Sequence, residues 1–188
     1  RERRCMSETV IVLSIPGLRP SDLPKMARTE QLFGHGDRAE LVPSFPASTC
    51  PVQANMTTGT PPASHGVVAN GTYHRESHRL EMWTEPNDCI GQPQWWDRLH
   101  EHDTQLTSAV WFPMHSKHCG ADYVCLPAPI HNPDGSESLW CYTKPTELYG
   151  ELRDQFGHFP LQHFWGPMAN IKSTEWIVSS AIEGARRY

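Results

Sequence analysis

The chain has 188 residues, 38% of them hydrophobic, and a formal net charge of −5. That length is enough for one domain with a real core. The lack of a basic stripe argues against nucleic acid as a partner, and no apolar run approaches the roughly 20 residues of a membrane-spanning helix. Frequent proline (17) and glycine (13) imply many loops. The start, RERRCMSETV, is basic, but the VIVLSIP after it is too short for a secretory signal and no cleavage site follows. Met6 reads as a natural start, so a cytoplasmic location is expected. The cysteines (Cys5, Cys50, Cys89, Cys119, Cys125 and Cys141) are then read as mostly reduced.

Residues 10–15, VIVLSI, form a continuous β-branched apolar run, predicted to be a buried strand of a parallel sheet. Pro16-Gly17 ends it at the edge where open α/β sheets bind ligands. Ser21 is expected to cap a helix over 21–33, with a short strand near 39–42. Ser48 or Thr49 opens a helix that Gly59 closes. Residues 60–71 read as a turn-rich loop and 72–83 as a β-hairpin outside the main sheet.

A helix over 93–102 carries Trp95, Trp96 and Leu99. LTSAVWF, residues 106–112, is predicted to be a buried strand, and residues 123–126 another. Residues 127–145 look like an insertion loop turning at Asn132-Pro133-Asp134-Gly135. Pro145 opens a helix with Leu148, Leu152 and Phe156 on one face. A last helix from Ser173 should bury Trp176, Ile177, Ala181 and Ile182. This alternation of strands and helices predicts a layered α/β fold.

The informative stretch is residues 43–73, PSFPASTCPVQANMTTGTPPASHGVVANGTY. It sets the Thr49 hydroxyl at a predicted helix N-terminus, where free N–H groups and the helix dipole favour a phosphate. A threonine hydroxyl is a weak nucleophile and needs a base or a metal ion to activate it. Asn70 could donate its side-chain amide to a phosphoryl oxygen. On residue chemistry alone, competing readings stand beside these. Thr49 can simply cap a helix, Asn70-Gly71 can be only a turn, and His65-Gly66 can be a loop anchor.

Thr49-Cys50-Pro51, Thr58-Gly59, Pro62, Ser64-His65-Gly66-Val67 and Asn70 resemble the type I phosphodiesterase/nucleotide pyrophosphatase pattern, T-F-P-x-x-x-x-x-x-T-G-x-x-P-x-x-H-G-I-x-x-N, without a gap. That family belongs to the alkaline phosphatase superfamily. The resemblance implies an alkaline-phosphatase-like layered α/β fold with a mainly parallel central sheet, of which residues 1–188 would be the N-terminal part. It implies hydrolysis of phosphodiester or pyrophosphate bonds through a covalent Thr intermediate, with Thr49 as nucleophile and metal-bound oxygen. It implies two divalent metal ions, expected to be zinc. Asn70 would steady a non-bridging oxygen, and the Cys50 N–H would be a second phosphate contact. The partner would be a small phosphate ester or nucleotide.

Two departures stand out. The family's first strand ends in a metal-binding Asp-Gly, and here the match is Pro16-Gly17. Ser14 and Asp22 are the nearest candidates to replace the missing ligand, although a serine hydroxyl is a poor zinc ligand. The family's later Asp-x-x-x-His and Asp-His-Gly motifs do not occur, so the chain is expected to be inactive alone. The alternative is a non-catalytic protein of the same fold that binds a phosphorylated ligand or a partner chain.

Other residues invite weaker readings. His115, His118, Cys119, Cys125 and Cys141 could bind zinc, though their spacing fits no common structural site. A sulfatase reading fails because Pro51 directly follows Cys50 and no arginine comes after it. No G-x-S-x-G occurs for a serine hydrolase. Trp95, Trp96, Trp111, Phe164 and Trp165 read as core, or residues 163–165 as a pocket wall that stacks a planar group.

Overall fold

The computed structural model describes residues 9–37, 39–42, 44–45 and 47–188. The chain divides into two compact units, Arg1–Val42 and Pro43–Tyr188.

In the first unit, residues 10–15 form no strand. Val10 and Ile11 are 85% and 84% exposed. The expected buried strand is therefore corrected. A strand exists through its ladder partners, and no described residue pairs with this run. Residues 39–42 are likewise not a strand. The predicted helix over 21–33 is a short 3₁₀ turn, Leu23–Lys25, followed by helix α1, Ala27–Phe33. Met26, at φ −102° and ψ 67°, separates the two. Ser21 caps neither. Asp22 precedes the first turn, and its carboxylate accepts from the Arg19 backbone and guanidinium instead.

The second unit begins with α2, Thr49–Thr58, which closes on Gly59 in the left-handed region at φ 68°. That agrees with the sequence reading. The predicted loop after it contains one helical turn, α3, Pro62–His65. Strands β1, Gly71–His74, and β2, Arg79–Met82, pair antiparallel as a separate hairpin, also as expected. Helix α4, Trp95–His102, opens on a reciprocal capping box between Gln94 and Asp97.

Among the described residues the main sheet has three strands. They are β3, Ala109–Trp111, β4, Tyr123–Pro127, and β7, Cys141–Lys144, with the hairpin β5, Ile130–His131, and β6, Glu137–Ser138, inserted between β4 and β7 in sequence. β3 runs parallel to β4, and β7 antiparallel. A mainly parallel central sheet is thus not found among the described residues. The predicted insertion loop is only partly one, because residues 141–144 return as a sheet strand. The turn at 132–135 does form, with Asn132 N–H donating to the Ser136 carbonyl at 2.8 Å.

Side chains alternate across a strand, so β4 feeds two cores. Val124 and Leu126 pack with Val110, Ala121 and Trp96 of α4. Cys125 packs on the other side with Phe112, Cys141, Phe159 and Leu161. That second core also holds Leu148, Tyr149 and Leu152 of α5, Leu148–Phe156, and Trp176 of α6, Ile171–Arg187. α6 buries a narrower face than its sequence suggested. Ser173, Trp176, Ser180 and Gly184 are inside, whereas Ile182 is 48% exposed. Trp111 explains the small residues. Its indole N–H donates to Ser180 Oγ at 3.0 Å, and a Cβ on Gly184 would lie 2.7 Å from its ring.

Candidate functional site

α2 starts from an extended Ser48, at φ −105° and ψ 160°. The Val52 N–H donates to the Ser48 carbonyl at 3.1 Å and closes the first turn. The Ser48 side chain makes no capping bond. Thr49 is the first helical residue and is half-buried. Its hydroxyl and its N–H have no hydrogen-bond partner among the described residues. Thr49 therefore does not act as a cap here.

Asn70 reaches this helix start from twenty residues on. Its side-chain Oδ1 accepts the Cys50 N–H at 2.9 Å. Its main-chain carbonyl accepts the Trp83 N–H at 3.0 Å, which ties it to the stem of the β1–β2 hairpin. Holding Oδ1 in this way fixes the amide, and Nδ2 is left as a donor without a partner among the described residues. The Cys50 N–H is accordingly engaged with Asn70 rather than open to a ligand. Pro51 has no N–H to offer. The open donors at the positive end of α2 are then the Thr49 N–H, the Thr49 hydroxyl and Asn70 Nδ2, a set suited to an anion.

The Cys50 side chain is 1% exposed. Burial, with a contribution from Cys89, pushes its thiol up to about 12. It stays protonated at neutral pH and is inert as a nucleophile. Cys50 instead packs with Ala54, Val67 and Met114 beneath the helix start. Gln53 Oε1 accepts the Met114 N–H at 2.7 Å, which joins α2 to the segment after β3.

His65 is fully buried. Its Nδ1 accepts the Val67 N–H at 3.1 Å, and its Nε2 lies 2.6 Å from Asn55 Oδ1. With Nδ1 accepting, the proton of a neutral ring sits on Nε2 and points at the Asn55 carbonyl. The reverse orientation of the Asn55 amide would suit the Pro51 and Thr60 carbonyls, yet it asks both ring nitrogens to accept, which a neutral imidazole cannot do. Burial holds the His65 pKa below its usual value. His65 is a loop anchor, the second of the two readings its sequence allowed.

Ser14 and Asp22 belong to the first unit. Ser14 is exposed in an irregular segment. Asp22 is engaged by Arg19, with its Oδ1 2.9 Å from the guanidinium. Those hydrogen bonds hold its carboxyl below the usual carboxylate range. The zinc reading of His115, His118, Cys119, Cys125 and Cys141 is not supported. No group of three or more His, Cys, Asp or Glu among the described residues is placed to hold a metal ion. The five described cysteines are free, and hydrogen bonding to Cys141 followed by burial raises the Cys125 pKa well above its ordinary value. A working zinc site typically takes about three protein donors, so the described residues around Thr49 do not form one by themselves.

The aromatic group divides. Trp96 is buried in one core and Trp111 of β3 packs against the other, as expected, whereas Trp95 is 39% exposed. Trp165 instead stacks on Trp83 at 5.8 Å and lines a cavity. Sequence reasoning missed Trp83, Met114 and Gln53, whose positions beside the site carry no motif.

The sequence matches the type I phosphodiesterase/nucleotide pyrophosphatase family over residues 10–186, and the chain belongs to that family. An uncharacterized pyrophosphatase/phosphodiesterase of Schizosaccharomyces pombe is 34% identical over 94 residues, covering 48% of this chain and 19% of the relative. The chain thus spans a small part of that relative's length. No solved structure is significantly similar. Among the described residues, no helix is long and apolar enough to cross a membrane.

Proposed function

We propose that the whole protein hydrolyses phosphodiester or pyrophosphate bonds of small phosphate esters or nucleotides, with Thr49 as nucleophile. The supporting observation is the unfinished start of α2. The Thr49 hydroxyl and N–H are without partners among the described residues, and the Cys50 N–H orients the Asn70 amide at the same helix start.

In this reading a phosphoryl group sits at the N-terminus of α2. Thr49 Oγ attacks phosphorus, the alcohol or phosphate leaving group departs, and water then cleaves the Thr49 phosphoester. Asn70 Nδ2 donates to a non-bridging oxygen as charge builds on it. The Thr49 N–H and the helix dipole act on the same charge. The two divalent ions implied for the family, with zinc expected, would activate Thr49 and water. The described residues do not supply a donor set for these ions.

The test is steady-state turnover of the whole protein against its Thr49→Ala variant, with circular dichroism as folding control. Thr49→Ala should abolish turnover while the fold is kept. Near-normal turnover by a folded Thr49→Ala protein would leave the binding-protein alternative or another nucleophile.

A further inference from the structure

Thr49 and Asn70 belong to separate segments, so the approach of one to the other is set by what joins those segments. The chain leaves α3 at Gly66, whose φ of 84° lies in the left-handed region that favours glycine. That turn brings the Val67 N–H back onto the ring of His65, where Nδ1 accepts it at 3.1 Å. On its other side the ring donates from Nε2 to Asn55 Oδ1 of α2 at 2.6 Å. One side chain thus spans from the helix that carries Thr49 to the loop that carries Asn70. His65 is fully buried, and the Gly91 N–H donates to its carbonyl at 2.9 Å.

The loop is held on both sides of Asn70. Before it, the Val67 side chain packs with Cys50 and Ala54 of α2, and the Val67 N–H is fixed by His65. After it, the Trp83 N–H donates to the Asn70 carbonyl at 3.0 Å. An anchor for the loop alone would need only the Val67 bond, and an anchor for α2 alone only the Asn55 bond. The ring makes both at once, and a neutral imidazole can do so only with its proton on Nε2. Loss of either bond leaves a buried donor or acceptor unpaired, which the loop relieves by moving. Movement of the loop draws Asn70 Oδ1 off the Cys50 N–H and turns Nδ2 away from the helix start.

We propose that His65 is a positioning residue, which sets the Asn70 amide against the start of α2 through a neutral ring protonated at Nε2. Its effect on turnover rests on the Thr49 reading, and its effect on the bond between Asn70 and the Cys50 N–H does not.

The experiment has two arms, and the first needs no turnover. Long-range proton–nitrogen NMR spectra of the chain at neutral pH should show the His65 ring neutral, with its proton on Nε2. The Cys50 N–H lies in the first turn of α2 and has no acceptor within the helix, so its exchange protection reports the bond to Asn70. His65→Asn keeps an acceptor near the place of Nδ1, and His65→Gln keeps a donor near the place of Nε2. Each should lower Cys50 protection by about tenfold or more. Amides of α5 and α6 should keep theirs, which serves as the folding control. The ring measurement on the unaltered chain stands whether or not a variant folds. The second arm is turnover of the whole protein. Both His65 variants should lower kcat by about tenfold to a hundredfold with KM little changed. In an Asn70→Ala background the same changes should cost almost nothing, because the group they act through is gone.

A His65 ring that is charged, or protonated at Nδ1, would overturn the proposal. So would Cys50 protection that both variants leave unchanged, or losses in kcat that are equal with and without the Asn70 amide. Lowered Cys50 protection in the His65 variants, beside a Thr49→Ala protein that still turns over, would sink the hydrolase reading alone. Unchanged Cys50 protection, beside a Thr49→Ala protein that has lost turnover, would sink the role of His65 alone.

Discussion

The helix starts of the second unit are finished in opposite ways. α4 opens on a capping box, and α6 opens on Asn170, whose Oδ1 accepts the Lys172 N–H at 3.0 Å. α2 opens on Ser48, which has the right backbone for a cap and makes no capping bond. Capping by Ser, Thr, Asp or Asn is the ordinary way to satisfy the first N–H groups. At α4 and α6 the donors are consumed inside the protein. At α2 the Cys50 N–H is taken by Asn70 from twenty residues away, and the Thr49 N–H is left without a partner among the described residues.

The contrast can be broken in several places. The largest effect concerns the isolated 188-residue chain. It should show no measurable zinc-dependent hydrolysis of a chromogenic phosphodiester, because among the described residues no side chain accepts the Thr49 proton and no donor cluster is placed to hold a metal ion. Robust zinc-dependent turnover would contradict this and point to Ser14, Asp22 or His65 as metal ligands. Next comes Asn70 in the whole protein. Asn70→Ala should lower kcat by about 10²–10³, the usual cost of one oxyanion donor. Asn70→Asp keeps an acceptor for the Cys50 N–H but loses the donor, so it should be no better than Asn70→Ala. Recovery of activity in Asn70→Asp would show that Asn70 serves only to orient the backbone.

A pH effect on stability should follow from two buried histidines. Burial depresses the pKa of both His65 and His115 in the folded state. For His115, which is 4% exposed with Nε2 unpartnered among the described residues, the charge of Glu85 partly opposes this shift. The unfolded chain binds these protons more readily. Stability is therefore fully present above the ordinary histidine value of about 6.5 and is lost as pH falls below it toward the folded values. Urea midpoints should be lower at pH 5.5 than at pH 8. A higher midpoint at pH 5.5 would contradict the assignment of both rings as neutral.

The smallest effects return to the caps. Asn170→Ala should cost about 1 kcal/mol of stability. Ser48→Ala should cost close to nothing, because no bond is lost. Equal costs for the two would erase the distinction between a closed and an open helix start.

Local chemistry in the sequence accounts for much of this corner. Thr49, Gly59 and the Asn70 turn follow from hydroxyl, glycine and asparagine preferences, and the spacing from Thr49 to Asn70 carried the family. The bond from the Cys50 N–H to Asn70 could not be read, since it joins a backbone donor to a side chain across the rest of α2 and the helical turn α3. Residues 10–15 were misread because an apolar run states a preference for burial but not the presence of ladder partners. The strand at 141–144 was misread for the opposite reason. CYTK is short and weakly apolar, and it becomes a strand through pairing with β4. Ile182 was placed inside by hydrophobicity, yet Trp111 makes α6 turn its small residues inward.

The central claim is that Thr49 forms a covalent bond to phosphorus during turnover. Acid quenching of the whole protein during hydrolysis, followed by peptide mass spectrometry, tests it directly. The account predicts a phosphoryl or nucleotidyl adduct on the peptide holding Thr49, absent from Thr49→Ala. An adduct on another residue, or sustained turnover in Thr49→Ala with no adduct at all, would contradict it.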